Sequence, residues 1–129
     1  MNRDEFLGKV RERGEYADRA ETEQVAHTVL HLLGRLLAPG EAKDLAAQLP
    51  GDLAEAVDGH GNGPRETYGE REFLRRVAIR LGATEETAIW DASAVLTTLA
   101  EAVTGGQLNQ LLTQLPSGYA VLFGKPDLS

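Results

Sequence analysis

Apolar residues recur at intervals of three and four along most of the chain. Phe6, Leu7 and Val10 share one helical face, as do Phe73, Leu74, Val77 and Leu81, so the spacing predicts helices over about 3–13 and about 70–81. Gly14 and Gly82 are the expected stops. Longer helices are predicted over about 19–37 and about 85–103. Val25, Val29, Leu32, Leu33 and Leu36 form the stripe of one; Ile89, Ala92, Val95, Leu96, Leu99 and Val103 form that of the other. Asp18 with Glu21 has the form of a capping box and Thr84 is the matching cap, because such side chains satisfy free N–H groups at a helix start. These two helices are the expected centre of the core.

Short helices over about 41–48 and 107–114 are entered through Pro39-Gly40 and Gly105-Gly106. Pro50 and Pro116 end them, since the residue before a proline is pushed out of helical dihedrals. Fourth helices are expected over about 51–57 and 117–123. The run Tyr119-Ala120-Val121-Leu122-Phe123 fits helix or strand by pattern; its counterpart Leu53-Ala54-Glu55-Ala56-Val57 forms helix well, which selects helix.

These signals occur twice in the same order. Phe6-Leu7-x-x-Val10 recurs as Phe73-Leu74-x-x-Val77, 67 residues on, and after one lost residue the offset is 66. Ala26-x-x-Val29-Leu30-x-x-Leu33 then matches Ala92-x-x-Val95-Leu96-x-x-Leu99, Gly40 matches Gly106, and Leu45-x-x-Gln48-Leu49-Pro50 matches Leu111-x-x-Gln114-Leu115-Pro116. The expected architecture is all-α, a compact bundle of two tandem, pseudo-symmetric four-helix repeats, about 3–57 and about 70–123. Each repeat is near the size where a core barely offsets chain entropy, so residues 1–129 are expected to form a single domain. The linker, 58–69, contains Asp58-Gly59-His60-Gly61-Asn62-Gly63-Pro64 and reads as a flexible surface loop.

The pattern Val29-Leu30-His31-x-Leu33-x-x-Leu36, then Gly40-Glu41-Ala42-x-Asp44-Leu45-Ala46-Ala47-Gln48-Leu49-Pro50, then Phe73-Leu74-x-x-Val77 and the second Gln114-Leu115-Pro116, resembles the uncharacterised bacterial family called domain of unknown function 2267. The resemblance implies a duplicated all-helical fold in a soluble bacterial protein and carries no activity with it. Many members look aromatic at the end of the first repeat, where this chain has Gly51-Asp52-Leu53-Ala54-Glu55-Ala56-Val57. The Gln-Leu-Pro motif reads as packing: Leu45 with Leu49, and Leu111 with Leu115, anchor the short helix, Pro makes the corner, and the Gln amide is placed to tie down loose carbonyls.

With 13 basic against 20 acidic residues the net charge is −7, which argues against nucleic acid as the main partner, since binding a polyanion needs cations to neutralise phosphates. The distribution is uneven, −6 over residues 15–61 and +2 over 62–83. Cysteine is absent, which removes disulfides, thiolate metal sites and cysteine nucleophiles. The opening residues run straight into helix without a secretory signal, and no apolar run approaches the roughly 20 residues of a membrane span, so a cytoplasmic protein with no membrane contact is expected.

Glu23, His27 and His31 fall at i, i+4 and i+8, a spacing that suits zinc ligation. They lie opposite the Val25/Val29/Leu33 stripe, on the expected solvent side, and the second repeat has Ser93 and Thr97 where the first has the histidines, so no metal site is assigned. No nucleophile elbow or phosphate loop is present, and Gly59-x-Gly61-x-Gly63 follows no strand; no catalytic or cofactor-binding residue is assigned and no cofactor is expected. Arg65, Arg71, Arg75, Arg76 and Arg80 form a basic stretch answered either by Glu66, Glu70 and Glu72 or by an acidic surface elsewhere. Trp90 lies about 150° from its helix's apolar stripe, so it is covered by the other repeat, by the tail near Phe123, or by a partner. The sequence therefore points to a non-enzymatic helical interaction module, self-associating or binding another protein. The alternative is a small-ligand or metal binder using the groove between the repeats.

Overall fold

The computed structural model describes residues 1–59 and 64–125. Among them are eight helices and no strand: α1 (Arg3–Gly14), α2 (Arg19–Arg35), α3 (Pro39–Ala46), α4 (Gly51–Asp58), α5 (Glu70–Leu81), α6 (Glu85–Ala102), α7 (Gly105–Thr113) and α8 (Tyr119–Leu122). The run around Tyr119 is thus helical, though only one turn long. None of the described helices is long and apolar enough to cross a membrane.

Local chemistry explains most boundaries. The Asn2, Asp18, Thr84 and Thr104 side chains accept the N–H of the residue three positions on at the starts of α1, α2, α6 and α7. Glu21 answers Asp18, but its carboxylate accepts from the N–H of Ala17 rather than of Asp18, so the capping box is stretched by one residue. One stop differs from the expectation. Gly14 is the last residue of α1, and Glu15 makes the left-handed turn; Gly82 makes the equivalent turn after α5, as a residue without Cβ does most cheaply. The short helices also start earlier than their prolines and glycines implied. Pro39-Gly40 and Gly105-Gly106 form first turns, where N–H groups have no helical partner and proline's fixed φ fits.

The two long helices α2 and α6 touch each other at the centre. Both α1 and α5 pack against the pair, α4 lies along α2, α8 along α6, and α3 meets α7. Their apolar side chains form one continuous cluster, with Val29, Leu30, Leu33, Leu53, Phe73, Val95, Leu96 and Leu99 fully buried. Each buried leucine contributes about 2 kcal/mol relative to an exposed one. Gly34 lets α4 approach closely, because a Cβ there would run into the Val57 carbonyl. On α6 the buried face runs through Ala88, Asp91, Ala92, Val95 and Leu99, and Ile89, assigned to the stripe from sequence, lies outside it.

Of the linker, His60, Gly61, Asn62 and Gly63 lie outside the described residues, and with them most of the glycine-rich stretch. Its second half departs from a loose loop. The Glu66 N–H donates to the Arg35 carbonyl, Arg65 donates to the Gln114 carbonyl, and the Tyr68 carbonyl accepts from the Tyr119 hydroxyl. Polar groups on α2, on α8 and just past α7 thus hold a segment whose composition alone promised freedom.

Candidate functional site

Several charged side chains are spent on one another in small networks. Arg3 bridges Asp52 and Glu23, Arg19 bridges Asp4 and Glu23, and His27 Nε2 lies 2.7 Å from Asp52 Oδ2, which joins α1, α2 and α4. The Arg3 guanidinium, more than the His27 ring, holds the Asp52 carboxyl well below the usual carboxylate range. Two of the three residues weighed as metal ligands are therefore tied into this network. His27 and His31 are half-buried rather than solvent-facing, because α4 occupies that flank of α2; with Ala56 and Arg80 they line a shallow depression. Among the described residues no three His, Asp or Glu side chains are grouped to hold a metal ion.

The arginine stretch divides in the same way. Arg75 and Arg76 both clasp Glu72, and Arg76 also reaches Glu66, which Arg35 holds from α2. The Arg76 guanidinium lies 4.2 Å from the centre of the Tyr68 ring, a cation–π contact. Arg71 and Arg80 are exposed and make no ion pair with described residues. Of the two readings of this stretch, the local one with Glu66 and Glu72 accounts for Arg75 and Arg76.

Gln48 behaves otherwise than expected. Its amide oxygen accepts the Thr104 N–H and its amide nitrogen donates to Gln107, so it caps a helix start instead of loose carbonyls.

Trp90 marks an exposed apolar patch on α6. It is 50% exposed, Ile89 beside it is 48% exposed, and the indole N–H donates to the Gly14 carbonyl at 2.9 Å. The end of α1 therefore fixes the ring without covering it. On one side of Trp90 runs an apolar groove along α6, lined also by Arg13, Glu86, Ser93, Ala94 and Thr97. On the other side a second cleft opens between the α1–α2 corner and the α5–α6 corner, lined by Glu15, Tyr16, Glu21, Val25 and Leu81 against Trp90 and Asp91. Asp91 is only 5% exposed, and the Tyr16 hydroxyl donates to its Oδ1 at 2.6 Å. Burial pushes the Asp91 carboxyl up; the Tyr16 bond partly opposes this, and the nearby Glu21 charge adds to it. The same burial and the Asp91 carboxylate raise the Tyr16 phenol.

The match to a known family covers residues 3–122, in the family described as an uncharacterized conserved protein, DUF2267. The chain belongs to this family. No curated protein matches it. In this DUF2267 chain, sequence reasoning singled out Trp90 and missed Tyr16 and Asp91. A signal for Asp91 was present, since a carboxylate three residues after Ala88 and four before Val95 stands on the buried face of its helix.

Proposed function

We propose that this chain is a non-enzymatic helical interaction module that pairs with a second copy of itself through the exposed face of α6. The observation that carries the reading is the apolar groove of about 510 Å³ holding the half-exposed Ile89 and Trp90. Large apolar side chains gathered in one concavity are costly in water, and covering them favours association. The groove is polarised. Glu86 stands at its α6 N-terminal end, while Arg13, beside Thr98 and Glu101, stands at the other. Two such faces related by a two-fold axis run antiparallel, bring the small Ser93 and Ala94 together at the crossing, and set each Arg13 against the other copy's Glu86. Light scattering across a concentration series tests this: a dimer is expected for the unaltered chain. Ile89→Glu, which adds an acid near Glu86 at an exposed position, should leave a monomer with unchanged helix content. A monomeric unaltered chain at 100-fold varied concentration would sink the reading.

We also infer that the domain is a tandem duplication with repeats about 3–57 and 70–123, its two halves related by a pseudo-two-fold axis. In support, α1 packs on α2 and α6 while α5 packs on α6 and α2, the reciprocal pattern such an axis requires. Glu41 and Gln107, equivalent by the offset of 66, hydrogen-bond to each other. The polar cleft is lined by equivalent pairs: Gly14 with Leu81, Tyr16 with Ala83, Glu21 with Thr87, Gln24 with Trp90, and Val25 with Asp91. This favours a second reading, a small-ligand site between the repeats, because duplicated units leave a cleft at their axis and here the buried Asp91 opens into it.

A further inference from the structure

We propose that the cleft beside Trp90 binds a small organic cation, an ammonium or guanidinium, with Asp91 and Glu21 as its counter-charges. The proposal rests on the reading of that cleft as a small-ligand site and names the class of ligand. The cleft measures about 320 Å³, at the small end of ligand sites, which run from roughly 300 to 1,000 Å³. Glu15, Glu21 and Asp91 line it, and among the described residues no basic side chain does. Arg11, on the adjoining turn, is committed to the Tyr16 and Ala17 carbonyls.

Asp91 is what makes this more than an acidic patch. It sits on the buried face of α6, and one of its oxygens receives the Tyr16 hydroxyl. No described donor reaches Oδ2, which is not fully buried, and Asp91 lines the cleft. A carboxylate largely withdrawn from water, with one oxygen left open, is stabilised by a donor or cation that meets it there. A bound cation would offset both the burial and the Glu21 repulsion that push this carboxyl up. The walls favour an organic cation over a bare ion. Trp90, fixed by its bond to Gly14, offers an aromatic surface, and Val25, Leu81 and Ala83 offer apolar contact for a short carbon chain.

Trp90 is the one tryptophan in the chain, so its fluorescence reports on this site. The full chain is titrated with butylammonium and butylguanidinium chlorides at constant ionic strength, beside 1-butanol and the doubly blocked arginine N-acetylarginine methylamide. A saturable change is expected with the two cations and not with 1-butanol. Asp91→Asn, which keeps an acceptor for Tyr16, should weaken it at least tenfold, and the exposed Glu21→Gln several-fold, with circular dichroism confirming folded variants. If Asp91→Asn does not fold, Glu21→Gln decides alone. Equal saturation by 1-butanol with no effect of either substitution would overturn the cation while leaving a ligand cleft. A response to blocked arginine only would overturn the small-molecule assignment, and no saturable response to any probe would overturn both readings.

Discussion

At the end of α1 the chain turns through Glu15 at φ 55°, ψ 40°; at the end of α5 it turns through Gly82 at φ 63°, ψ 37°. The hydrogen bonds correspond one for one. Glu15 N–H reaches the Arg11 and Glu12 carbonyls and Tyr16 N–H returns to Arg11, while Gly82 N–H reaches Ala78 and Ile79 and Ala83 N–H returns to Ala78. Beside the turns the side chains part company. The first corner has Gly14 and Tyr16, the second Leu81 and Ala83, and all four line the same cleft. Because the turn closes through backbone bonds, it tolerates a glutamate at a strained dihedral and leaves its neighbours free to diverge. One corner supplies apolar wall, the other a phenol that reaches Asp91 75 residues away.

The sharpest way to break the comparison is Gly14→Ala. A Cβ at Gly14 would collide with the Tyr16 ring, so this change should cost about 2 kcal/mol by forcing the ring out of its seat. Urea unfolding measures it, and a cost near zero would mean that Tyr16 moves aside freely. Next come the turn residues themselves. Gly82→Ala should lose about 1 kcal/mol with no clash involved, whereas Glu15→Gly should gain up to about 1 kcal/mol, because only one corner already carries the left-handed penalty. Opposite signs in thermal melts would confirm that the two turns are equivalent in backbone and unequal in strain.

The smallest effect is a pH dependence. Asp91 titrates above its ordinary 3.8 in the folded chain, so the stability it lends is fully present below about pH 4 and lost as pH rises through the raised value. Asp91→Asn should remove that slope from urea midpoints measured across this window, and an unchanged slope would place the titration elsewhere. Asp52 runs the other way: its stabilisation is present above the ordinary carboxylate value and lost in acid. Because Asp52 and Arg3 are each about a third exposed, that contribution is of the order of 0.5 kcal/mol.

Much of the fold was legible because helices declare themselves locally. Val25, Val29 and Leu33 had to share a face, Asp18 and Thr84 had to cap, and the result holds to within a few residues at each end. Errors arose where a second helix intervenes. His27 looked solvent-facing on an isolated helix, but α4 lies along that flank and brings Asp52 to it. Ile89 read as core until the position of α1 decided which edge of α6 is covered. The candidate site was half visible. Trp90 stood out by its angle on the helix, but neither Tyr16 nor the Asp91 to which it donates belongs to any local motif.

The sequence by itself determined the all-helical class, the order and approximate limits of the helices, the caps at Asp18 and Thr84, and the family. Those follow from 3.6-residue periodicity and from hydrogen bonds that close within a few residues. The tertiary structure alone decided which helix faces stay exposed, which charges pair, and that Tyr16, Trp90 and Asp91 surround one cleft. Such choices depend on side chains dozens of residues apart meeting after α1, α2, α5 and α6 have packed, and no periodicity along the chain records where those meetings occur.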